Sequence, residues 1–353
     1  MDSAYYFLEK NNLININGYI FSNTLNNGSA LSCIYEKENE KVVVKFLICP
    51  RNYIELERFK LEYSVLDVND INSVIYSNSE YVKNKDSAID GTYPLPTPVI
   101  EIYHSEGNFI NYFGYRYEEG VLLRDYDATH LTEHEKYSLI HRVASGLSYF
   151  NRSGYVHRDL HPGNILLLDK PQMNLWSHYI PRVIILDLGN CQKCNQRPTF
   201  PGLEFKRNVD EDAVFKDNNK RLLSSFTSMP PDFLVHGENT LNYDSWSIGI
   251  WIYEIIFNEK PFIVNGIEDI HNLWKDGLLP IKTNGNLNKL DIGIQLVLRR
   301  LLSFDGRDRP TIHAIVRLFG EILDSDNFLH NYNGYAQKLI DNDGFDLDHR
   351  HDE

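Results

Sequence analysis

The side chains with the clearest potential for chemistry lie in the middle of the chain. In the run HRDLHPGN, residues 157–164, the carboxylate of Asp159 and the carboxamide of Asn164 stand five positions apart. A second carboxylate, Asp187, opens an Asp-Leu-Gly sequence directly after the apolar run of residues 183–186. Side chains of these types can ligate a hard cation or accept a proton. An Asp-x-Gly alone is most often a simple turn, so the order and context of the motifs decide their meaning.

A basic and an acidic residue precede this run in the first third of the chain. Lys45 follows three valines, residues 42–44, in a run that predicts a strand. Glu62 lies in the next segment, residues 53–68, where apolar side chains recur at helical spacing. A lysine on a strand is most often solvated, so this pair alone does not indicate a function.

The elements that would position these residues divide the chain into a strand-rich first third and a helix-rich remainder. Residues 17–49 predict short strands broken by turns, and strand patterns return at 99–103 and 109–117. The intervening residues 69–98 are polar and rich in turn formers, which predicts a loop or a small insertion.

Helical patterns dominate after residue 117. Thr132-x-x-Glu135 has the spacing of a capping box, which predicts the start of a helix. Residues 244–257 are apolar nearly all round, a pattern typical of a helix in a core. Further helices are predicted near residues 289–303 and 311–324.

Composition narrows the classes of partner and compartment. The chain has 353 residues with 35 basic and 49 acidic side chains, a net charge of −14, which argues against nucleic acid or an anionic membrane as main partner. No apolar run approaches the roughly 20 residues of a membrane span. The start lacks the features of a secretory signal, and four cysteines form no disulfide framework. We expect a soluble, cytoplasmic protein.

Taken in order, the motifs resemble those of the eukaryotic-type protein kinase family. The resemblance covers roughly residues 17–325 and rests on six elements that occur in family order. They are the strand lysine of VVVK (Lys45), the catalytic-loop sequence HRDLHPGN, the metal motif DLG from Asp187, MPPD at 229–232, DxWSxG from Asp244, and RPT from Arg309.

The resemblance implies a fold and a set of domains. The fold is α+β and bilobal, with a small β-rich N-lobe and a larger α-helical C-lobe. We place the N-lobe at residues 1–116, the C-lobe at 117–325, and an acidic C-terminal tail at 326–353.

It also implies roles for individual residues, with ATP and Mg²⁺ as cofactors and a protein as substrate. Lys45 would hold the phosphates, and Glu62 would hold Lys45. Asn164 and Asp187 would ligate the metal, and Asp159 would accept or orient the hydroxyl proton of the acceptor. The nucleotide would also contact the glycine-loop region and the segment between the lobes, at Asn27, Gly28, Ser29, Ser32, Ile34, Tyr115 and Tyr117.

Several positions depart from the family pattern. The three glycine positions of the nucleotide loop carry Asn27, Ser29 and Ser32. His161 stands where many serine/threonine kinases have a lysine. Asp232 replaces a glutamate, and we expect it to pair with Arg309.

Three functions compete on these residues. The leading interpretation is a kinase that transfers the γ-phosphoryl group of ATP to Ser or Thr of proteins. A pseudokinase that serves as a binding module is favoured by the altered glycine loop and opposed by the complete catalytic set. A small-molecule kinase shares the catalytic core but lacks the MPPD, DxWSxG and RPT elements.

A last expectation concerns regulation. In this family the arginine at the position of Arg158 often grips a phosphate on the activation segment, here residues 189–228. We expect either autophosphorylation between Thr199 and Ser228 or pairing of Arg158 with an acid at 210–212. The neighbouring Cys191-x-x-Cys194 is expected to be a pair of solvated thiols.

Overall fold

The computed structural model describes residues 3–25, 30–67, 95–152, 155–173, 179–193, 230, 242–262, 287–290 and 292–324. The chain forms two compact units. The first unit contains Met1–Gly120 together with Ile184–Asn190, and the second contains Val121–Val183 together with Cys191–Glu353. Residues 184–190 lie within the range assigned from sequence to the second domain, yet they pack with the first unit. The boundaries at 116 and 325 stay a prediction.

The first unit is built on a six-stranded antiparallel sheet with the order β1-β2-β3-β4-β6-β5. Helix α1 (Ser3–Lys10) precedes the sheet, and α2 (Tyr53–Asp67) follows β4. The strands are β1 (Asn15–Ile16), β2 (Tyr19–Leu25), β3 (Leu31–Lys37), β4 (Glu40–Ile48), β5 (Pro98–His104) and β6 (Ile110–Arg116).

Strand β4 has buried apolar side chains on both of its faces. Val42, Val44 and Phe46 point into a core that also contains Leu8 and Leu13, from α1 and the turn after it. Side chains alternate along a strand, so Val43 and Lys45 lie on the opposite face. The alternation of β4 therefore places Lys45 on the face away from α1.

The second unit is mainly helical. Its helices are α3 (Glu133–Arg152), α4 (Tyr243–Phe257), α5 (Ile292–Leu301) and α6 (Ile312–Asp324). Helix α3 packs against α6, with the rings of Tyr137 and Phe319 5.6 Å apart, and also contacts α4. Helix α4 is almost fully buried, as the apolar pattern of residues 244–257 predicted.

Short strands frame the loops of this unit. A three-stranded sheet has the order β10-β9-β7, and β8 pairs with β11 in a two-stranded ladder. The strands are β7 (Gly120–Leu122), β8 (Tyr155–Val156), β9 (Ile165–Met173), β10 (Tyr179–Ile185) and β11 (Gln192–Lys193).

The predicted fold class, a β-rich unit followed by a mainly helical one, is confirmed. The capping box is also present, because the backbone N–H of Thr132 donates to Glu135 at 2.8 Å and that of Glu135 donates to the Thr132 hydroxyl at 3.3 Å. Most of the predicted loop at 69–98 and the whole tail at 326–353 lie outside the described residues. Among the helices that are described, none has the length and apolar character needed to cross a membrane.

Candidate active site

Three of the predicted site residues meet within the first unit. The Lys45 ammonium lies 2.6 Å from Oε2 of Glu62 on α2, and 3.2 Å from Oδ1 of Asp187. Glu62 is only 5% exposed, whereas the Asp187 side chain is half exposed. One cation therefore links a buried carboxylate to an accessible one, although Asp187 is 142 positions further along the chain.

Burial and charge set the protonation of this cluster. Burial alone would lower the pKa of Lys45, but the carboxylates of Asp187 and Glu62 outweigh it and raise that pKa, so Lys45 is charged. Burial raises the pKa of Glu62 to about 7, against the opposing effect of Lys45. Burial also raises the pKa of Tyr115 to about 12, which keeps its hydroxyl neutral beside the cluster.

The backbone at Asp187 is unusual. Its φ of +59° lies in the left-handed region, which Asp adopts more readily than most residues. The short 3₁₀ helix Leu188–Asn190 follows and packs against α2. A Cβ at Gly189 would lie 3.3 Å from the carbonyl oxygen of Arg58, so a larger residue would crowd α2. Helix α2 thus supports both Glu62 and the segment that carries Asp187.

Two of the predicted nucleotide contacts lie on β3, next to this cluster. Ser32 stands directly across the ladder from Lys45, and Ile34 stands across from Val43. Neighbouring strands lie about 5 Å apart, so both positions adjoin the strand that carries the lysine. The other three loop residues, Asn27, Gly28 and Ser29, lie outside the described residues.

The segment predicted to join the lobes begins within the six-stranded sheet. Tyr115 and Arg116 still belong to β6, opposite Val43 and Val42 of β4. The backbone N–H of Arg116 donates to Thr97 at 2.8 Å, and that of Tyr117 donates to Lys41 at 2.9 Å. These two donors are already engaged within the protein, and the contact of this segment with a nucleotide stays a prediction.

The second unit contains the catalytic-loop residues. Asp159 and Asn164 are 9% and 7% exposed. The Asn164 side-chain nitrogen donates to the backbone carbonyl of Asp159 at 2.9 Å, and the Asp159 N–H donates to Nδ1 of His157 at 3.3 Å. The backbone of Asp159 is therefore held from both sides. Nδ1 of His161 accepts a bond from the Gly163 N–H at 3.1 Å, so in this arrangement a ring proton would lie on Nε2.

Asp244, at the start of α4, anchors this loop. It is fully buried, and one carboxylate oxygen accepts from the His157 N–H at 2.8 Å and from the Asn151 side chain at 3.1 Å. The other oxygen accepts from the Arg158 N–H at 3.1 Å. Sequence reasoning recognised the DxWSxG motif but gave Asp244 no role, since only its burial next to the loop reveals one.

Among the described residues, Arg158 has a partner that the sequence did not suggest, and its pairing with an acid at 210–212 stays a prediction. Its guanidinium donates to the side-chain carbonyl of Gln192 on β11, and both residues are 6% exposed. The hydroxyl residues of 199–228 and the acids at 210–212 lie outside the described residues, so the phosphorylation expectation stays a prediction. The expectation of two solvated thiols is wrong for Cys191, which is 1% exposed.

Arg309 is fully buried in the second unit. It donates to the carbonyls of Ser303 at 2.9 Å and Phe304 at 3.1 Å, and its guanidinium lies 5.4 Å from the ring centroid of Trp246. Its expected partner, Asp232, lies outside the described residues, and that ion pair stays a prediction.

Within each unit, the side chains suit the nucleotide or the metal that the motifs imply. Lys45 supplies a charged ammonium suited to phosphate oxygens, and Asp187 beside it supplies an accessible carboxylate. In Asn164 the side-chain nitrogen binds the loop, so the amide oxygen is the atom suited to a metal. Carboxylate and amide oxygens are ligands that Mg²⁺ accepts.

Comparison with known proteins finds relatives that are named serine/threonine-protein kinases. The chain is similar to serine/threonine-protein kinase ELM1 of Saccharomyces cerevisiae, with 28% identity over 187 residues, which cover 51% of this chain and 26% of the relative. It is also similar to serine/threonine-protein kinase 33 of Bos taurus, with 25% identity over 187 residues, covering 53% of this chain and 35% of the relative. The chain thus spans about a quarter to a third of these relatives.

A protein-family match extends further along the chain than these pairwise similarities. The family described as "Protein kinase domain" matches residues 26–318, which include both groups of site residues and most of the two compact units. With these motifs, this fold and this match, the chain belongs to the protein kinase family.

Proposed function

We propose that this protein is an ATP-dependent protein kinase that transfers the γ-phosphoryl group of ATP to Ser or Thr hydroxyls of protein substrates. The observation that carries the proposal is the Lys45 ammonium held at 2.6 Å by Glu62 and at 3.2 Å by Asp187. A lysine fixed in this way can bind phosphate oxygens without first having to be ordered. Phosphoryl transfer depends mainly on positioning and on electrostatic stabilisation, which such an arrangement provides.

The residues proposed to bind the nucleotide and the metal each have a definite task. Glu62 positions the Lys45 ammonium, and Lys45 binds phosphate oxygens of ATP. Asp187 would hold the metal, and Asn164 would be a further oxygen ligand. When bound, Mg²⁺ neutralises charge on the phosphate oxygens of the nucleotide. The exposure of the Asp187 carboxylate favours this task, because a metal ligand must be reachable by the ion.

Asp159 acts on the acceptor hydroxyl. Its backbone is fixed through His157 and Asn164, and Asp244 anchors the residues before it, so its carboxylate is presented from a rigid loop. It orients the hydroxyl and accepts its proton as the oxygen attacks the phosphorus. A rigid loop favours catalysis because the positioning cost is met on folding.

The choice of Ser and Thr as acceptors is supported by the relatives, which are named serine/threonine-protein kinases. A pseudokinase is not favoured, since Lys45, Glu62, Asp159, Asn164 and Asp187 are all present. The small-molecule kinase alternative lacks support from the later motifs, because DxWSxG and RPT are present here. We also propose protein substrates, because the chain carries the DxWSxG and RPT elements, and a cytoplasmic location, because its four cysteines form no disulfide framework.

The decisive test is Asp187→Asn in the full-length protein with Mg²⁺ and ATP. We expect the rate of phosphotransfer to a mixture of Ser and Thr peptides to fall by about 100-fold or more, because a metal supplies several kcal/mol of transition-state stabilisation. The melting temperature should not fall, since the half-exposed carboxylate contributes little to packing. Asp127→Asn, which removes an exposed carboxylate elsewhere, is the control and should keep its activity.

Two results would contradict the proposal. Wild-type protein that transfers no phosphate from Mg²⁺-ATP to any peptide would favour the binding-module alternative. Full activity of Asp187→Asn would remove this residue from the metal site. Mass spectrometry of the products decides between Ser, Thr and Tyr as acceptors.

A further inference from the structure

Arg158 is fixed on three sides. Its backbone N–H donates to Asp244 at 3.1 Å, its carbonyl accepts from the Tyr243 hydroxyl at 3.4 Å, and its guanidinium donates to Gln192. Its φ of +65° lies in the left-handed region, which a residue other than Gly keeps only when its surroundings hold it there. The three contacts explain how this backbone conformation persists, and the next residue in the chain is the proposed catalytic Asp159.

Gln192 reaches Arg158 because of strand pairing. In the β8–β11 ladder, Gln192 lies opposite Val156, two residues before Arg158. Both Gln192 and the preceding Cys191 are buried, at 6% and 1% exposure. The side chain of Gln192 is therefore enclosed next to the catalytic loop, where an amide oxygen must find a donor.

The contact between Arg158 and Gln192 joins a buried guanidinium to a neutral amide. Burial lowers the pKa of Arg158, and the carboxylates of Asp244 and Asp159 act in the opposite direction. Asp244 already accepts three hydrogen bonds from the loop and Asn151. Gln192 adds an acceptor without adding a further buried negative charge to those of Asp244 and Asp159. A phosphate reaching this guanidinium would have to share it with Gln192 and enter a region that is almost closed to solvent.

We propose that Gln192 is a positioning residue that holds Arg158, and through it the backbone of Asp159, so that the catalytic loop is ordered without a phosphate on residues 199–228. This inference rests on the proposed kinase function and assigns its regulation. The kinase is then active as synthesised, and the amide of Gln192 does the work that a modified side chain would otherwise do.

The test compares two substitutions of Gln192 whose side chains have similar lengths but differ in their ability to accept a hydrogen bond. Gln192→Met removes the acceptor but keeps the volume, whereas Gln192→Glu keeps an acceptor. We expect Gln192→Met to lower kcat about 10- to 100-fold with little change in KM for ATP, because small misplacements of a catalytic group have effects of that size. Gln192→Glu should retain a higher kcat than Gln192→Met. Gln295→Met, which removes a partly buried hydrogen bond from the amide of Gln295 on α5 to the Leu290 carbonyl, is the matched control and should leave kcat unchanged.

A second readout does not depend on activity. Hydrogen exchange of the backbone amides of residues 157–159 should be faster in Gln192→Met than in the wild type and in Gln295→Met. If the wild type transfers no phosphate, the proposed function fails, and the exchange rates alone then decide whether Gln192 orders the loop. Equal exchange in Gln192→Met and wild type would overturn the positioning role.

Phosphatase treatment tests whether kcat is independent of a phosphate on residues 199–228. Treated wild-type protein should keep its kcat, and phosphosite mapping should find no activating phosphate between Thr199 and Ser228. Loss of kcat on phosphatase treatment, together with a phosphate on this segment, would overturn the inference. So would a Gln192→Met variant with wild-type kcat and wild-type exchange.

Discussion

Lys45 and Glu62 form a salt bridge whose two partners respond differently to burial. Lys45 sits between two carboxylates, and their combined charge keeps it protonated. Glu62 has one cation and is more deeply buried, so its removal from water outweighs the attraction and raises its pKa to about 7. Removing ions from water costs several kcal/mol for each ion, which explains why a close partner does not restore the ordinary value.

This leads to a prediction about pH. The pKa of Glu62 rises from 4.5 to about 7 on folding, so between these values the folded protein binds a proton that the unfolded chain has lost. Stability from this group is therefore present below pH 4.5 and is lost as the pH rises to about 7. The free energy of unfolding of wild type minus that of Glu62→Gln should fall by up to about 3 kcal/mol across this range, at 1.36 kcal/mol per pKa unit. Denaturant unfolding at several pH values measures it.

Glu55 on the same helix is the control. Burial acts to raise the pKa of Glu55, but hydrogen bonds from Arg51 to its carboxylate lower that pKa below 4.5. The contribution of Glu55 to stability therefore changes only below pH 4.5. The corresponding difference for Glu55→Gln should stay flat between pH 4.5 and 7. A carbon-13 NMR titration that puts the pKa of Glu62 at or below 4.5 would contradict the prediction.

At the scale of elements, the face of the first sheet opposite Lys45 carries a core of its own. A row of aromatic rings crosses five strands of the sheet, and each ring lies within 6.3 Å of the next. The row begins at Tyr5 of α1 and continues through Phe21, Tyr35, Phe46, Tyr112 and Tyr103. The Tyr35 hydroxyl donates to the Leu13 carbonyl at 2.6 Å, and Leu8 is fully buried. Helix α1 thus closes the core on one face of the sheet that positions Lys45.

Substitutions in α1 test this conclusion. Leu8→Ala should lower the free energy of unfolding by about 2–5 kcal/mol, the usual cost of emptying a fully buried leucine site. Tyr6→Ala on the same helix is the control and should have a small effect, because Tyr6 is 62% exposed. Thermal or denaturant unfolding gives both values. Equal effects from the two variants would show that α1 does not close this core.

At the scale of the whole molecule, charge acts over longer distances than any single contact. The chain carries 49 acidic and 35 basic residues, a net charge of −14. Such a surplus attracts cationic partners and speeds their encounter, and salt screens the effect over a Debye length of about 10 Å at 0.1 M. A basic protein segment is therefore the substrate that the overall charge favours.

We expect kcat/KM for a Ser peptide flanked by Arg and Lys to exceed that for the same peptide flanked by Glu. The advantage should shrink as the salt concentration rises from ~0.05 M to ~0.5 M, because screening removes the long-range attraction. The kcat values should change little, since steering acts on the encounter and not on the chemical step. Steady-state kinetics at several salt concentrations measures both. A preference for the acidic peptide would contradict the prediction.

The sequence alone was sufficient for the fold class, and it supplied most of the candidate residues, whose roles stay predictions. Alternation and helical spacing are local, so the strands before residue 117, helix α2 and the buried helix α4 could be predicted from neighbouring residues. The order of the motifs around Lys45, Asp159 and Asp187 indicated the family because six short patterns rarely occur together in one sequence by chance.

The tertiary structure decided which side chains are in contact and what their pKa values are. Partners such as Lys45 and Asp187, or Arg158 and Gln192, are far apart in the chain, and no local pattern specifies a contact that only packing creates. Asp244 became the anchor of the catalytic loop because folding buries its carboxylate beside three donors. The raised pKa of Glu62 has the same origin, since removal from water is a property of the folded environment and not of the residue type.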